Sequence, residues 1–205
     1  MKRLLYVAIF TPLMVFAGCS DNIEQKPETV PSVLQENNTD DIGATKLAEI
    51  RAIAKQGDAE TQYTVGEMYD YGESVQEDYA EAMKWFRLAA DQGNAEAQFN
   101  LGVMYYFGVS VPKDYAEAMK WFRLAADQGY AEAQNNVGTM YGNGRGVQQN
   151  YTEAYTWLSI AAAGGYDTAN QNLNIVAEEL TPEELSQAQQ RATELFEKIE
   201  SGKNQ

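Results

Sequence analysis

Carboxylates are the side chains in this sequence whose spacing could do chemistry. Glu67 with Asp70, and Glu77 with Asp78, lie close enough along the chain to serve as a general acid and base. Their surroundings argue against it. Asp and Glu number 30 among 205 residues, so close neighbours are expected by chance. The sequence has no histidine, which removes the usual base near neutral pH and the commonest zinc ligand. Its single cysteine, Cys19, allows no disulfide within the chain, and Cys-His and Ser-His-Asp chemistry is excluded. Gly142-Asn-Gly-Arg-Gly146 looks like a phosphate loop only superficially, because no Lys-Ser/Thr follows it. The expectation is a chain that is not an enzyme and that uses no metal and no cofactor.

Charge narrows the partners. The formal net charge is −15, so phosphates would repel the chain, and nucleic acid is not expected as a partner. An apolar fraction of 44% is enough for one domain with a real core.

The first residues read as an address. Lys2 and Arg3 precede a run from Leu4 to Phe16 that is apolar apart from Thr11 and Pro12. The run is too short to cross a bilayer as a helix and suits a signal-peptide core. Phe16-Ala17-Gly18-Cys19 resembles the bacterial lipobox, with Phe16 where leucine is typical. The resemblance implies that residues 1–18 are a signal peptide and that Cys19 becomes a lipidated N-terminus, its thiol consumed as a thioether. Ser20 follows where aspartate would favour retention. By similarity to enterobacterial-type lipoproteins, this implies a lipid anchor in the outer membrane with the chain facing the periplasm. Residues 19–42 hold Pro27, Pro31, Asn37, Asn38, Asp40 and Asp41 without a helical period, and are expected to form a disordered tether.

The elements that would position any site come from a repeat. Asp78–Gly93 recurs unchanged as Asp114–Gly129, an offset of 36 residues. The same offset aligns Gln62, Gln98 and Gln134; Gly66, Gly102 and Gly138; and Trp85, Trp121 and Trp157. Three full units result, 58–93, 94–129 and 130–165. Residues 44–57 read as the second helix of a degenerate leading unit, and 166–175 as the first helix of a trailing one. Within unit one, a first helix is expected from about Ala59 to Tyr71, where Gln62, Val65, Gly66 and Tyr69 share one face. Gly72 would end it. A second helix starts at Asp78, with Glu81 three residues on as a variant capping box. Its apolar stripe is Tyr79, Ala82, Met83, Phe86, Ala89 and Ala90. Small Gly66 and Ala82 would let the two helices approach closely.

This pattern closely resembles the Sel1-like repeat, a relative of the tetratricopeptide repeat. The matching residues are Ala95-Glu-Ala-Gln98, Leu101-Gly-Val-Met-Tyr-Tyr106, Gly108, Val111, Tyr115-Ala-Glu-Ala118, Trp121 and Ala125-Ala126. The family's Gly-x-Gly-Val turn is intact at Gly144-Arg-Gly-Val147, whereas Ser74 and Ser110 replace its second glycine in units one and two. The resemblance implies an all-α fold, a right-handed α-solenoid of helix–turn–helix repeats spanning 43–175. Residues 176–205 would supply a C-terminal capping helix and tail, because Thr181-Pro182-Glu183-Glu184 is a helix start and solenoid ends need cover. Leu185, Ala188, Leu195 and Ile199 would share its buried side.

In similar solenoids the first helices line a concave surface. The face they would present reads Glu60, Thr64, Glu67 and Tyr71 in unit one, then Glu96, Asn100, Val103 and Phe107, then Glu132, Asn136, Thr139 and Asn143. Asp70, Tyr106 and Gly142 lie beside it. The residues expected to bind a protein are therefore Glu67, Asp70, Tyr71, Asn100, Val103, Tyr106 and Phe107. Unit one carries nine acids against Lys84 and Arg87, whereas units two and three are each close to neutral. This suits a protein or peptide partner with basic and apolar parts. The leading expectation is a non-catalytic adaptor facing the periplasm. An immunity protein masking a periplasm-delivered toxin would use the same surface. A cell-wall or β-lactam hydrolase is the third reading; relatives associated with β-lactam hydrolysis rely on disulfide-bridged repeats, whose cysteines are missing here.

Overall fold

The computed structural model describes Ala52, Ala54 and residues 57–202 apart from Ser74. Cys19, the signal peptide, the tether, and the expected leading helix but for Ala52, Ala54 and Gly57, lie outside the described residues. Eight helices and no strand occur among those described. They are α1 (Ala59–Tyr71), α2 (Tyr79–Asp91), α3 (Ala95–Phe107), α4 (Tyr115–Asp127), α5 (Ala131–Asn143), α6 (Tyr151–Ala163), α7 (Asp167–Glu178) and α8 (Pro182–Gly202). Consecutive helices pack in antiparallel pairs, α1 on α2, α3 on α4 and α5 on α6, and each second helix also packs on the next first helix. This is the stacking of an α-solenoid.

Short polar residues start most of these helices. Asp58 accepts from the Thr61 amide at 2.8 Å, Asp78 from the amides of Ala80 and Glu81 at 3.0 Å each, and Asn94 from that of Ala97 at 2.7 Å. The variant capping box is only half present. Glu81 turns outward to Lys84 at 2.7 Å, and Glu117 does the same with Lys120. The full box forms at α8, where Glu184 accepts from the Thr181 amide and Thr181 accepts from that of Glu184. First helices end on Gly72, Gly108 and Gly144, all left-handed, with φ of 66°, 75° and 64°. Ser110 keeps the left-handed backbone of the glycine it replaces, at φ 60°.

Within each unit, a glycine on the first helix receives a large side chain from the second. A Cβ on Gly66 would lie 2.5 Å from the ring of Phe86, and one on Gly102 the same distance from Phe122. At Gly138 the partner is Leu158, at 2.7 Å. The close approach expected from Gly66 and Ala82 is thus filled by Phe86, with buried Ala82 alongside.

Two side-chain ladders join one unit to the next. The Arg87 guanidinium lies 4.6 Å over the Trp121 ring, and that of Arg123 lies 4.4 Å over Trp157. Indoors, Gln92 donates to Gln62 at 2.7 Å, and Gln128 to Gln98 at 2.8 Å. Gln62, Gln98 and Gln134 then donate to the carbonyls of Ala54, Ala90 and Ala126 at 3.0–3.1 Å. A buried glutamine so satisfied fixes register, since a slipped pairing would strand its amide.

Helix α8 lies across the second-helix side of the stack. It packs on α6, where Arg191 pairs with Glu153 at 2.6 Å, and its C-terminal end reaches Arg123, Asp127 and Gln128 of α4. The sequence of α6 shows why it settles there. Lys84 and Lys120 are replaced by Thr156, Asp91 and Asp127 by Ala163, and Arg87 and Arg123 by Ser159. Losing these charges leaves a seat that α8 can dehydrate without stranding an ion. Thr156 and Ile160 are buried under it, against Ala188 and Ala192, whereas the equivalent Leu88 and Leu124 remain exposed on α2 and α4.

Candidate functional site

The first helices carry the candidate face, and they segregate charge. Helices α1, α3, α5 and α7 contain Glu60, Glu67, Asp70, Glu96, Glu132, Asp167 and Glu178 and not one Lys or Arg. The described cations lie on α2, α4, α8 and the loops.

The structure sorts the seven residues expected to bind a protein. Glu67, Tyr71 and Asn100 are partly exposed, and Phe107 is 37% exposed. Val103 and Tyr106 are buried at 2% and 6%, so their expected place on the accessible surface is corrected. Val103 belongs to one apolar cluster with Phe122 of its own unit and with Val137 and Met140 of the next first helix. The Tyr106 ring stands edge-on to Phe107 and Tyr115, each 5.0 Å away, and its hydroxyl accepts from Arg145 of the next unit. Unit three is more enclosed still, with Asn136, Thr139 and Gly142 buried.

Asp70 is also buried, at 8% exposure. Burial pushes its carboxyl up to about 6, with Glu77 and Glu67 adding repulsion. The expected carboxylate pairs thus become one loose cluster around Asp70, shaped by desolvation. The folded state holds the proton more tightly than the unfolded chain. Asp70 therefore contributes its full stability below about pH 4 and loses it as pH rises through about 6. Asp70→Asn, which mimics the protonated acid, should raise stability at pH 7.5 by about 1–2 kcal/mol and change little at pH 4. Urea unfolding at the two pH values checks this; equal effects at both would contradict it.

The side chains that give the face its character were not among those expected from sequence. Tyr63, Phe99 and Tyr130 are partly exposed rings on this side. Tyr63 donates to the Glu67 carboxylate at 2.9 Å, which holds that acid in place. Phe99 lies 5.1 Å from Tyr130 and 5.7 Å from Phe122. Tyr130 is where the units meet. Its phenol is pushed up by burial first, then by Glu132, Glu96, Tyr71 and Glu67, groups drawn from three units. The signal was present in the repeat alignment. The position that caps the first helix reads Asp58, Asn94, Tyr130 and Tyr166, a change from cap to aromatic that a capping role does not explain.

Comparison with known proteins places this geometry. The Sel1 repeat family model matches residues 59–94, 95–130 and 131–166. Among solved structures, the chain is similar to a protective antigen present in uropathogenic Escherichia coli strains that displays an SLR fold, with 34% identity over 76% of this chain and a TM-score of 0.69. The chain spans 33% of that antigen's length. It is also similar to a Sel1 repeat protein from Oxalobacter formigenes, with 33% identity, a TM-score of 0.59, and coverage of 63% of this chain and 97% of that one. No curated protein matches it. Sel1 repeat proteins generally act as protein-interaction scaffolds. With three consecutive repeats matched over more than half its length and the paired-helix stacking of the solved relatives, this chain belongs to the Sel1 repeat family.

Proposed function

We propose that this chain is a non-catalytic adaptor that binds a protein or peptide on its first helices, anchored by lipid on Cys19 at the periplasmic side of the outer membrane. One observation carries the binding site. The first-helix side keeps five large rings partly in solvent, at Tyr63, Tyr71, Phe99, Phe107 and Tyr130, on the same side as the acids of the first helices. Four of these rings stand on helices and Tyr130 at the cap of α5, so little ordering is required when a partner docks. The lipobox-like Phe16-Ala17-Gly18-Cys19 supports the anchor.

Two experiments test the two halves. A photo-crosslinking residue at Thr64 or Asn100, in the mature chain carrying Cys19→Ser, should trap a partner from envelope extract, whereas one at Leu88 on the second-helix side should not. Trapping from Leu88 alone would overturn the site. In cells, Cys19→Ser should move the protein from the detergent phase to the soluble periplasm or leave it unprocessed. Unchanged processing and partitioning would rule out the anchor.

A further inference from the structure

We infer that the first-helix face holds a Lys or Arg side chain of an extended basic segment, seated at Tyr130 among Glu67, Glu96 and Glu132. This rests on the adaptor reading and names the chemistry of its partner.

The first support is the charge segregation. Among the described residues, every Lys and Arg lies off the first helices, and none is paired with Glu67, Glu96 or Glu132. Helix stability accounts for part of the pattern only. Glu96 and Glu132 sit in the first turns of α3 and α5, where a carboxylate favours the helix dipole. Glu67 does not. It lies in the C-terminal half of α1, a helix with no basic residue in its last turn, where a carboxylate opposes the dipole. Its Oε1 is nonetheless held by Tyr63 at 2.9 Å, a fixed acceptor with no cation paired to it among the described residues.

The second support is the combination of rings with acids. An aromatic face beside a carboxylate takes a guanidinium or ammonium by ring attraction and ion pairing together. This molecule already uses that chemistry inside itself. Arg123 lies 4.4 Å over the Trp157 ring while its Nε contacts Asp127 at 3.2 Å. On the first-helix face, the Phe99 and Tyr130 rings stand 5.1 Å apart, Glu96 and Glu132 are each the second residue of their helix, and the charges of Glu132, Glu96 and Glu67 all act on the Tyr130 phenol. The site has ring and acid without the arginine. The occupant is a segment of another protein. A second copy of this chain is disfavoured, because its net charge of −15 would be repelled.

The test uses the full mature chain with Cys19→Ser and two labelled peptides, three repeats of Arg-Gly-Leu-Gly and three of Glu-Gly-Leu-Gly, read by fluorescence anisotropy. The arginine peptide should bind and the glutamate peptide should not. Glu67→Gln, Glu96→Gln and Glu132→Gln together should weaken binding about tenfold or more. Glu73→Gln, Glu77→Gln and Asp91→Asn together, the same charge change elsewhere on units one and two, should alter it by less than about twofold. Tyr130→Leu should weaken binding while Tyr130→Phe retains it, since the ring face is what the cation meets. Circular dichroism establishes that each variant is folded. Equal loss from both charge sets would reduce the effect to bulk charge and overturn the inference, as would binding of the glutamate peptide, no binding of the arginine peptide, or wild-type binding by the first set. If those results came while crosslinks from Thr64 and Asn100 persisted, the adaptor reading would stand and the cation site would fall.

Discussion

Gly102→Val is expected to destabilise the protein by about 3 kcal/mol, read as a lowered midpoint of urea unfolding. The added Cβ alone would stand 2.5 Å from Cδ1 of Phe122, a distance side chains do not adopt. Phe122 has nowhere to retreat. Its ring is fully buried, with Phe99 at 5.7 Å and Tyr106 at 6.5 Å. Relief must come from parting α3 and α4, which opens the contact around which unit two is built. The middle unit is the worst place for this, since it must also hold units one and three. A midpoint close to wild type would show that the ring can move aside and that the helices do not depend on this approach.

Trp121→Ala should cost about 3–5 kcal/mol, the usual range for removing a buried tryptophan. Trp121 is 7% exposed and packs into the cluster that spans units one and two, with Leu101, Met104 and Phe86. Its loss also leaves Arg87 without the ring beneath it. The comparison is Leu124→Ala, three residues along the same helix but 48% exposed, for which less than about 1 kcal/mol is expected. Similar costs for the two would remove the inter-unit role given to the tryptophan.

The helices could be read from the sequence, since a 36-residue offset compares three versions of one pattern. The expected span of α1, its glycine terminator and the cap at Asp78 all stand in the structure. The face was harder to read. A helix with one buried side leaves its other residues outside, and that rule put Val103 and Tyr106 in the open. First helices here are covered on several sides, by their own second helix, by the second helix of the unit before, and, for α5, by the next first helix. Only a narrow strip stays outside, and amphipathic spacing cannot select it. Tyr63 and Phe99 sit one residue from the buried Gln62 and Gln98, so periodicity assigns them to the interior edge. Tyr130 was hidden differently, by standing at a cap position. The course of α8 was legible in principle through Thr156, Ser159 and Ala163, which break the charged pattern of the earlier units, but only with its landing place in view.

The two ladders also decide how this molecule can change length. Gln62 and Gln98 each accept from a glutamine 30 residues later, but the corresponding position after Gln134 is Gly164. Gln92 and Gln128 thus steady the glutamine of their own units, while units one and two send Arg87 and Arg123 forward over the tryptophan of the next; unit three has Ser159 at that place, and α8 occupies its outer side. A further copy of unit two inserted after Gly129 would find every polar partner waiting on both its borders. The same copy added after Gly165 would find neither an arginine for its tryptophan nor a free flank. The identical stretches Asp78–Gly93 and Asp114–Gly129 are also the places where an in-frame exchange would add or remove one whole unit. The stack is open to growth from its middle and closed to it at its C-terminal end.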